Sequence, residues 1–416
     1  MSRIGALLFA LCCTASKVHA AELRLWHSMN GARGAEFERV VARFNASQSQ
    51  HRVVPTYKGS FDEAAVEAVT ARGTPRAPHI VQASELGAAF ILDHGVARPL
   101  WQVEAEAGVA IGTEPALGAR EELLDAEGRL LALPLGRSTP VLYYNRDAFR
   151  IAMLDPARPP ATWYEMVATL ARLIESGSEC GLTLAWPASL LLENMAAWHN
   201  QAFIGPDARL VFNNRLAVRW VSTLATWQKS GYFTHSPQAE ARFAAGECAL
   251  LAASSASYAD LRAGVKFDLG IAQLPYYDDF DDAPLNTLSA GAALWVMAGR
   301  PRADYAGVAR FLAFFARPEV QAEWHQKTGL VPLTATAYEI TRKQGFYAKQ
   351  PGHEVAVRQL LAKGTPNWKS LRLGQVPRVR SIIDEELEAA WLGRKTPLDA
   401  LNAAVARGNA VLDKLK

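Results

Sequence analysis

The 416-residue chain carries 44 Lys and Arg against 41 Asp and Glu, and half of its residues are hydrophobic. Charge so close to balance leaves no electrostatic footprint for nucleic acid or an anionic membrane surface. A chain of this length exceeds what one hydrophobic core supports, so two domains are expected.

The first twenty residues read as an export signal. Arg3 supplies the positive start, residues 4–13 are apolar, and Val18-His19-Ala20 is a small-x-small site with cleavage expected after Ala20. The apolar run, about ten residues, is too short to span a bilayer core of roughly 30 Å as a helix. Cys12 and Cys13 follow Leu11 and Cys12, where a lipoprotein anchor has a small residue. Without residues 1–20, 42 basic side chains face 41 acidic ones, and the remaining cysteines are Cys180 and Cys248. In an oxidising compartment these form a disulfide or stay as two buried thiols; spacing alone allows both. No CxxC and no neighbouring His pair point to zinc.

Residues 22–26 predict a short strand. Phe37, Val40, Val41 and Phe44, at i, i+3, i+4 and i+7, predict a helix over 34–45. A strand over 52–57 is followed by a helix opened by Ser60 and Glu63, a capping box in which each side chain serves a backbone donor of the other. A strand over 79–83 runs to Glu85. Strands alternating with helices argue for an α/β fold with a largely parallel sheet. The chain changes character at Leu133-Pro134-Leu135-Gly136, then enters a strand over 141–145; a second capping box, Thr162 with Glu165, opens a helix after Pro159-Pro160. From there to about residue 270 the pattern reads as mostly helical, broken at Pro187 and Gly205. A strand over 292–298 follows the acidic loop 278–282, and helices over 379–391 and 397–415 close the chain. No repeat or low-complexity linker divides it, so the domains are expected to interleave.

Motifs for chemistry are missing. The sequence has no GxxxxGK[ST], GxGxxG, GxSxG or HExxH, and His353-Glu354 lacks the second histidine. Asp278-Asp279-Phe280-Asp281-Asp282 lacks the spacing and glycine of a calcium loop and reads as a solvated turn. No catalytic residue, metal site or cofactor is expected, so the chain is not read as an enzyme. Binding suits it better. Among eleven tryptophans are Trp26, Trp163, Trp186, Trp198 and Trp295, most of them core fillers, though a few in a cleft would wall a polyol. Ser138-Thr139-Pro140 and Ser254-Ser255 put hydroxyls on turns, where they are either anion donors or ordinary turn residues.

Longer strings decide between these readings: WHSM (26–29), VPTYKG (54–59), STPVLYYN (138–145), PPATW (159–163), LEN (192–194), LWVM (294–297), AEWHQKTG (322–329), LRLG (371–374) and DEELE (384–388). In these strings, their order and their spacing, the chain from about Leu25 onward resembles the periplasmic sn-glycerol-3-phosphate-binding proteins of ABC importers. That resemblance implies a two-lobed Venus-flytrap with its ligand in the interlobe cleft, closing by hinge motion. It divides the chain into lobe one, 21–136 with 289–332, and lobe two, 137–288 with 333–416, with crossings near Gly136, Leu288 and Pro332.

The resemblance also implies a ligand set. Glu85 accepts from glycerol hydroxyls, Ser138 and Ser254 donate to the ligand, Gly291 lets its backbone approach, and Arg380 grips phosphate with its planar fork. Trp163, from PPATW, is added as an apolar wall. By spacing alone Arg380 reads as a surface partner of Asp384 or Glu385. Phe61 and Leu330 stand where the family has tyrosines whose hydroxyls serve the ligand. Each lost donor to a charged group costs on the order of 1.5–3 kcal/mol, so a glycerophosphodiester such as glycerophosphocholine is an alternative cargo. A neutral sugar on the same fold is another, and an exported phosphodiesterase is the reading from a different class. The implied partners are two permease subunits and a cytoplasmic ATPase pair, with no nucleic acid, for a monomeric protein of the periplasm.

Overall fold

The structure, a computed structural model, describes residues 20–112, 114, 117, 123–185, 187–350, 352–364 and 376–413. The expected signal through His19, Trp186 and the string at 371–374 lie outside these residues.

The described strands are β1 (Ala21–His27), β2 (His51–Tyr57), β3 (Ile80–Ser84), β4 (Ala97–Arg98), β5 (Leu133–Ser138), β6 (Pro140–Asn145), β7 (Cys180–Leu184), β8 (Phe233–Thr234), β9 (Cys248–Ser254), β10 (Leu269–Ala272) and β11 (Ala290–Met297). They build two sheets. The first runs β2-β1-β3-β11-β4, with β5 also paired to β11; β1 is parallel to β2 and β3, whereas β11 is antiparallel to β3, β4 and β5. The second runs β10-β6-β9-β7-β8, with β7 parallel to β8 and β9, and β6 antiparallel to β9 and β10. The chain leaves the first sheet at Ser138, passes through Thr139 and enters the second at Pro140. It returns between Ala272 and Ala290.

Local signals act where they were read. The predicted 34–45 helix spans Gly31–Ser47 and buries Phe37, Val40, Val41 and Phe44 on one face. Both capping boxes form with both bonds present, at Ser60 with Glu63 and at Thr162 with Glu165. Helices are the main elements over residues 163–270, as read, but the reading missed the strands between them: β7, β8 and β9 lie in that stretch, β10 at its end, and together they make most of the second sheet. Every residue of Cys180–Leu184 is buried, as are all but the last of Cys248–Ser254. Strands covered on both faces show no alternation, and a short apolar run of that kind cannot be told from buried helix by period.

Each sheet has its own core. Phe37, Phe44, Phe311, Phe315 and Trp324 cluster against the first, where Phe37 and Phe315 meet Trp324 edge-on at 6.1 and 5.7 Å. Trp198, Trp220, Trp227 and Trp391 fill the second. Cys180 and Cys248 stand opposite each other in β7 and β9 and form a disulfide with Cα atoms 4.5 Å apart. Closing a loop with a sequence separation of 68 contributes about 2–4 kcal/mol, chiefly by restricting the unfolded chain. The halves also touch through a helix end. Asn30 gives the helix Gly31–Ser47 no side-chain cap, and Asp260 from the second half accepts a hydrogen bond from Ala32 N at 2.8 Å. A carboxylate there complements the positive end of the helix dipole.

Candidate functional site

The passage at Thr139 gathers most of the expected ligand residues along one seam. Ser138 ends β5 opposite Ala290, Arg137 faces Gly291, and Gly136 faces Ala292, whose other neighbour is Ser84 of β3. On the second sheet Pro140 pairs with Ser254, the last residue of β9. Ser255 N then donates to Thr139 O at 2.9 Å, which ties the two strand ends together. Ser138, Gly291 and Ser254 thus share one junction. Glu85 opens the helix Glu85–Asp93 directly after Ser84; its side chain lies outside the described residues.

Local packing explains several of these residues. A Cβ on Gly291 would sit 2.4 Å from Gly136 O, so only glycine lets β5 and β11 approach as they do. Ser138 Oγ donates to Ala290 O at 3.3 Å. Ser254 Oγ accepts from Ala256 N at 3.1 Å and caps the short turn Ser255–Ser257. Tyr143 OH lies 3.0 Å from both Ser254 O and Ser255 O, and burial raises its pKa, keeping it a neutral donor that holds the turn. Trp163 is 4% exposed and packs between Trp227 and Tyr277, with ring centroids 5.8 and 6.2 Å away. It is a core residue of the second half, and it lines neither of the two cavities described below. Phe61 is half-buried at the start of its helix, and Leu330 is buried against Gly136.

Arg380, on the helix Val376–Trp391, is partly buried and pairs bidentately with Glu193: Nε to Oε1 at 2.8 Å and Nη2 to Oε2 at 2.9 Å. The acids that spacing suggested are otherwise engaged. Asp384 accepts from Ser189 N at 2.7 Å and from Ser189 Oγ at 3.1 Å, and Glu385 pairs with Arg407. Burial raises the pKa of Asp384, and the neighbouring Glu193 adds to the shift against the opposing pull of Arg380. Asn194, next to Glu193, accepts from Thr287 Oγ1 at 2.7 Å and Leu288 N at 2.9 Å. Ser289 follows, and Arg137 donates to its Oγ at 2.7 Å and its carbonyl at 2.9 Å. The returning segment therefore links the Arg380–Glu193 pair to the seam.

Sequence reasoning passed over three residues here: Arg137, Glu193 and Asp384 as a cavity wall. Arg137, 5% exposed, had one visible signal, a cation directly after the apolar run 133–136. It lines a cavity of about 10 Å³ with Ser84, Pro134, Gly291 and Trp295, roughly the room of one water. A larger cavity of about 560 Å³ opens beyond Asp384. The acidic loop is occupied internally: Asp279 pairs with Arg219 at 2.7 Å and accepts from Tyr164 OH at 3.1 Å. Among the described residues no group of three His, Cys, Asp or Glu could hold a metal ion, and no helix is long and apolar enough to cross a membrane.

Two sheets joined by crossing segments, with polar side chains gathered at the junction, define a two-lobed ligand-binding fold. Residues 39–354 match the family described as bacterial extracellular solute-binding protein, and the chain belongs to that family. More particularly, it is 42% identical to the sn-glycerol-3-phosphate-binding periplasmic protein UgpB of Yersinia enterocolitica, covering 98% of this chain and 95% of that one. Identity to UgpB of an Escherichia coli O6:K15:H31 strain is 41%, over 99% and 97% of the two chains. Among solved structures, UgpB from Mycobacterium tuberculosis in complex with glycerophosphocholine superposes with a TM-score of 0.78 at 22% identity, over 95% and 99% of the chains. The GacH receptor of Streptomyces glaucescens does so with 0.79 at 17%, over 95% and 99%. At those identities the structural likeness speaks for the fold.

Proposed function

We propose that this chain captures sn-glycerol 3-phosphate outside the cytoplasmic membrane and delivers it to an ABC importer. The observation carrying this reading is the junction itself: Ser138, Gly291 and Ser254 converge on it, in a chain about 40% identical over nearly its whole length to proteins named for that ligand. In this reading Glu85 accepts from the glycerol hydroxyls and the two serines donate to the ligand. Arg380, its Nε–Nη2 edge held by Glu193, supplies charge toward phosphate. The lobes are 21–136 with 289–332 and 137–288 with 333–416, and they close about the crossing segments. Export through a signal cleaved after Ala20 would leave a monomer. It would meet two permease subunits and an ATPase pair, and would carry out no catalysis of its own.

A glycerophosphodiester is the second reading. Arg380 already bears a buried carboxylate partner, so the pair is close to neutral and favours a monoanion over a dianion. Phe61 and Leu330 lack the hydroxyls that a monoester would use. Calorimetric titration with sn-glycerol 3-phosphate, glycerophosphocholine and maltose tests both. Binding of either phosphate without maltose is expected, and binding of maltose alone would overturn the assignment.

A further inference from the structure

Arg137 touches all three segments by which the chain passes between the sheets. It is the last residue but one of β5, so the first passage, Ser138-Thr139-Pro140, begins beside it. Its side chain takes the second: Nε donates to Ser289 Oγ at 2.7 Å and Nη2 to Ser289 O at 2.9 Å. Its carbonyl takes the third, accepting from Val331 N at 2.7 Å across a short antiparallel bridge. That third segment changes sides at once. Leu330 packs with Leu133 and Leu135 in the first core, and Val331 with Val141, Tyr143 and Leu251 of the second sheet.

The ladder explains why an arginine stands there. Pairing between β5 and β11 ends at Ser138 with Ala290, because Thr139 turns away and its carbonyl accepts from Ser255 N. Ser289, 4% exposed, has no strand residue opposite it, and a buried carbonyl left alone is costly. The guanidinium reaches one step past the last pair and supplies the missing donor. The second half holds the other side of two passages. Gln359, on the helix His353–Leu360, donates to Thr139 Oγ1 and Pro140 O, both at 2.7 Å, and its carbonyl accepts from Thr287 N at 2.9 Å. Between the two sets of bonds lies a single residue in each of these passages, Ser138 and Leu288. In the third, Pro332 follows Val331.

We infer that Arg137 is the positioning residue of the binding junction. It clamps the three passages on the first-sheet side, so that Ser138 and Gly291 keep one spacing while the halves turn about Ser138, Leu288 and Pro332. Both are its direct neighbours, Ser138 along the chain and Gly291 across the ladder, where a Cβ on the glycine would stand 3.1 Å from Arg137 Cα. A charged donor grips its acceptors more strongly than a neutral one, which suits a clamp that must hold while the chain bends beside it. The inference rests on the reading that this junction holds the ligand, and one half of its test needs no ligand.

The test compares wild type, Arg137→Met and Arg137→Lys in the exported form of the full chain. Hydrogen exchange of the ligand-free protein is followed by mass spectrometry, and sn-glycerol 3-phosphate is titrated calorimetrically. In Arg137→Met, exchange is expected to quicken about tenfold around Ser289 and also at Val331 N, whose bond goes to the Arg137 carbonyl and survives the substitution. Affinity should fall about tenfold; Arg137→Lys, which keeps the charge and one donor, should lose about threefold. Faster exchange around Ser289 alone means a local packing role and overturns the clamp. So does wild-type affinity in Arg137→Met. Lost affinity with unchanged exchange over residues 330–334 makes Arg137 a ligand contact, and that also overturns it. Should Arg137→Met unfold, Ser289→Ala, which removes only the Oγ acceptor, replaces it, with about threefold changes expected in the same places. If wild type does not bind sn-glycerol 3-phosphate, the functional reading fails, and the exchange pattern alone decides the clamp.

Discussion

Arg380 and Glu193, 187 positions apart, lock together through two parallel hydrogen bonds of 2.8 and 2.9 Å, with the glutamate side chain 4% exposed. A residue expected to serve only a ligand therefore also anchors a buried carboxylate, and the two roles can be separated. Arg380→Met leaves Glu193 buried and unpaired, costing about 3 kcal/mol of stability and abolishing phosphate binding. The double variant Arg380→Met/Glu193→Gln is expected to recover most of the thermal midpoint without recovering the ligand. Thermal unfolding and calorimetry on the same samples check this. A double variant that binds sn-glycerol 3-phosphate like wild type would remove Arg380 from the site.

Phe61 opens its helix and is only half-buried, so a para-hydroxyl can be accommodated there. Phe61→Tyr adds a donor toward a charged group and should tighten sn-glycerol 3-phosphate binding by roughly tenfold. An unchanged dissociation constant would mean that position 61 does not reach the ligand. Leu330→Tyr is the poorer choice, because Leu330 Cδ1 already lies 2.8 Å from where a Cβ on Gly136 would stand.

Asp260 caps a helix belonging to the other half of the molecule. A motion that parts the halves there would break the cap, so the contact is expected to favour the arrangement in which the helix Gly31–Ser47 and Asp260 meet. Asp260→Ala should weaken ligand affinity by about fivefold, the worth of one helix cap, and leave urea unfolding of the ligand-free protein nearly unchanged. X-ray scattering gives the complementary readout, a larger radius at a given ligand concentration. Equal stability loss with and without ligand would contradict this.

Three buried histidines predict acid sensitivity. His199 Nδ1–H donates to Met195 O at 2.7 Å, and Nε2 accepts from Tyr277 N at 2.9 Å, a tautomer that protonation destroys. Burial pushes His199 down to about 4, and likewise His325 to about 4 and His353 to about 3. Their folded pKa values lie below the ordinary 6.5, so the unfolded chain takes up protons first. Stability is complete above pH 6.5 and declines as pH falls toward 4, by up to about 1.4 kcal/mol per pH unit for each histidine. Thermal midpoints measured from pH 7.5 to 4.5 should fall accordingly, less steeply in His199→Gln. A flat profile in wild type contradicts the burial argument.

What the sequence disclosed was local. Ser60 with Glu63 and Thr162 with Glu165 lie three residues apart, and both boxes form because a cap depends on its own turn. The 3.6-residue period of Phe37, Val40, Val41 and Phe44 likewise marked a face that the fold buries. Much of the second sheet was hidden, since β7 and β9 are covered on both faces and carry no period of two. The site was legible only through its resemblance to a family. Ser138, Gly291 and Ser254 meet because β5 pairs with β11 and β6 with β9, pairings made across 106 (Tyr144 to Leu250) to 161 (Leu133 to Leu294) positions. Glu193 was quoted within the string at 192–194, yet nothing in the spacing ties it to Arg380. The cavity wall at Glu240 and Glu388 joins segments equally remote in the chain.

Strand β11 has a bearing on how the molecule comes into being. Among the described strands, β4 and β5 take β11 as their one neighbour, and β3 relies on it along one side. A nascent or truncated chain ending before Met297 therefore leaves three segments with open edges, a template for intermolecular pairing. Acquisition of the native state should be a single late event rather than a half-by-half process, and fragments cut near residue 288 should aggregate rather than fold.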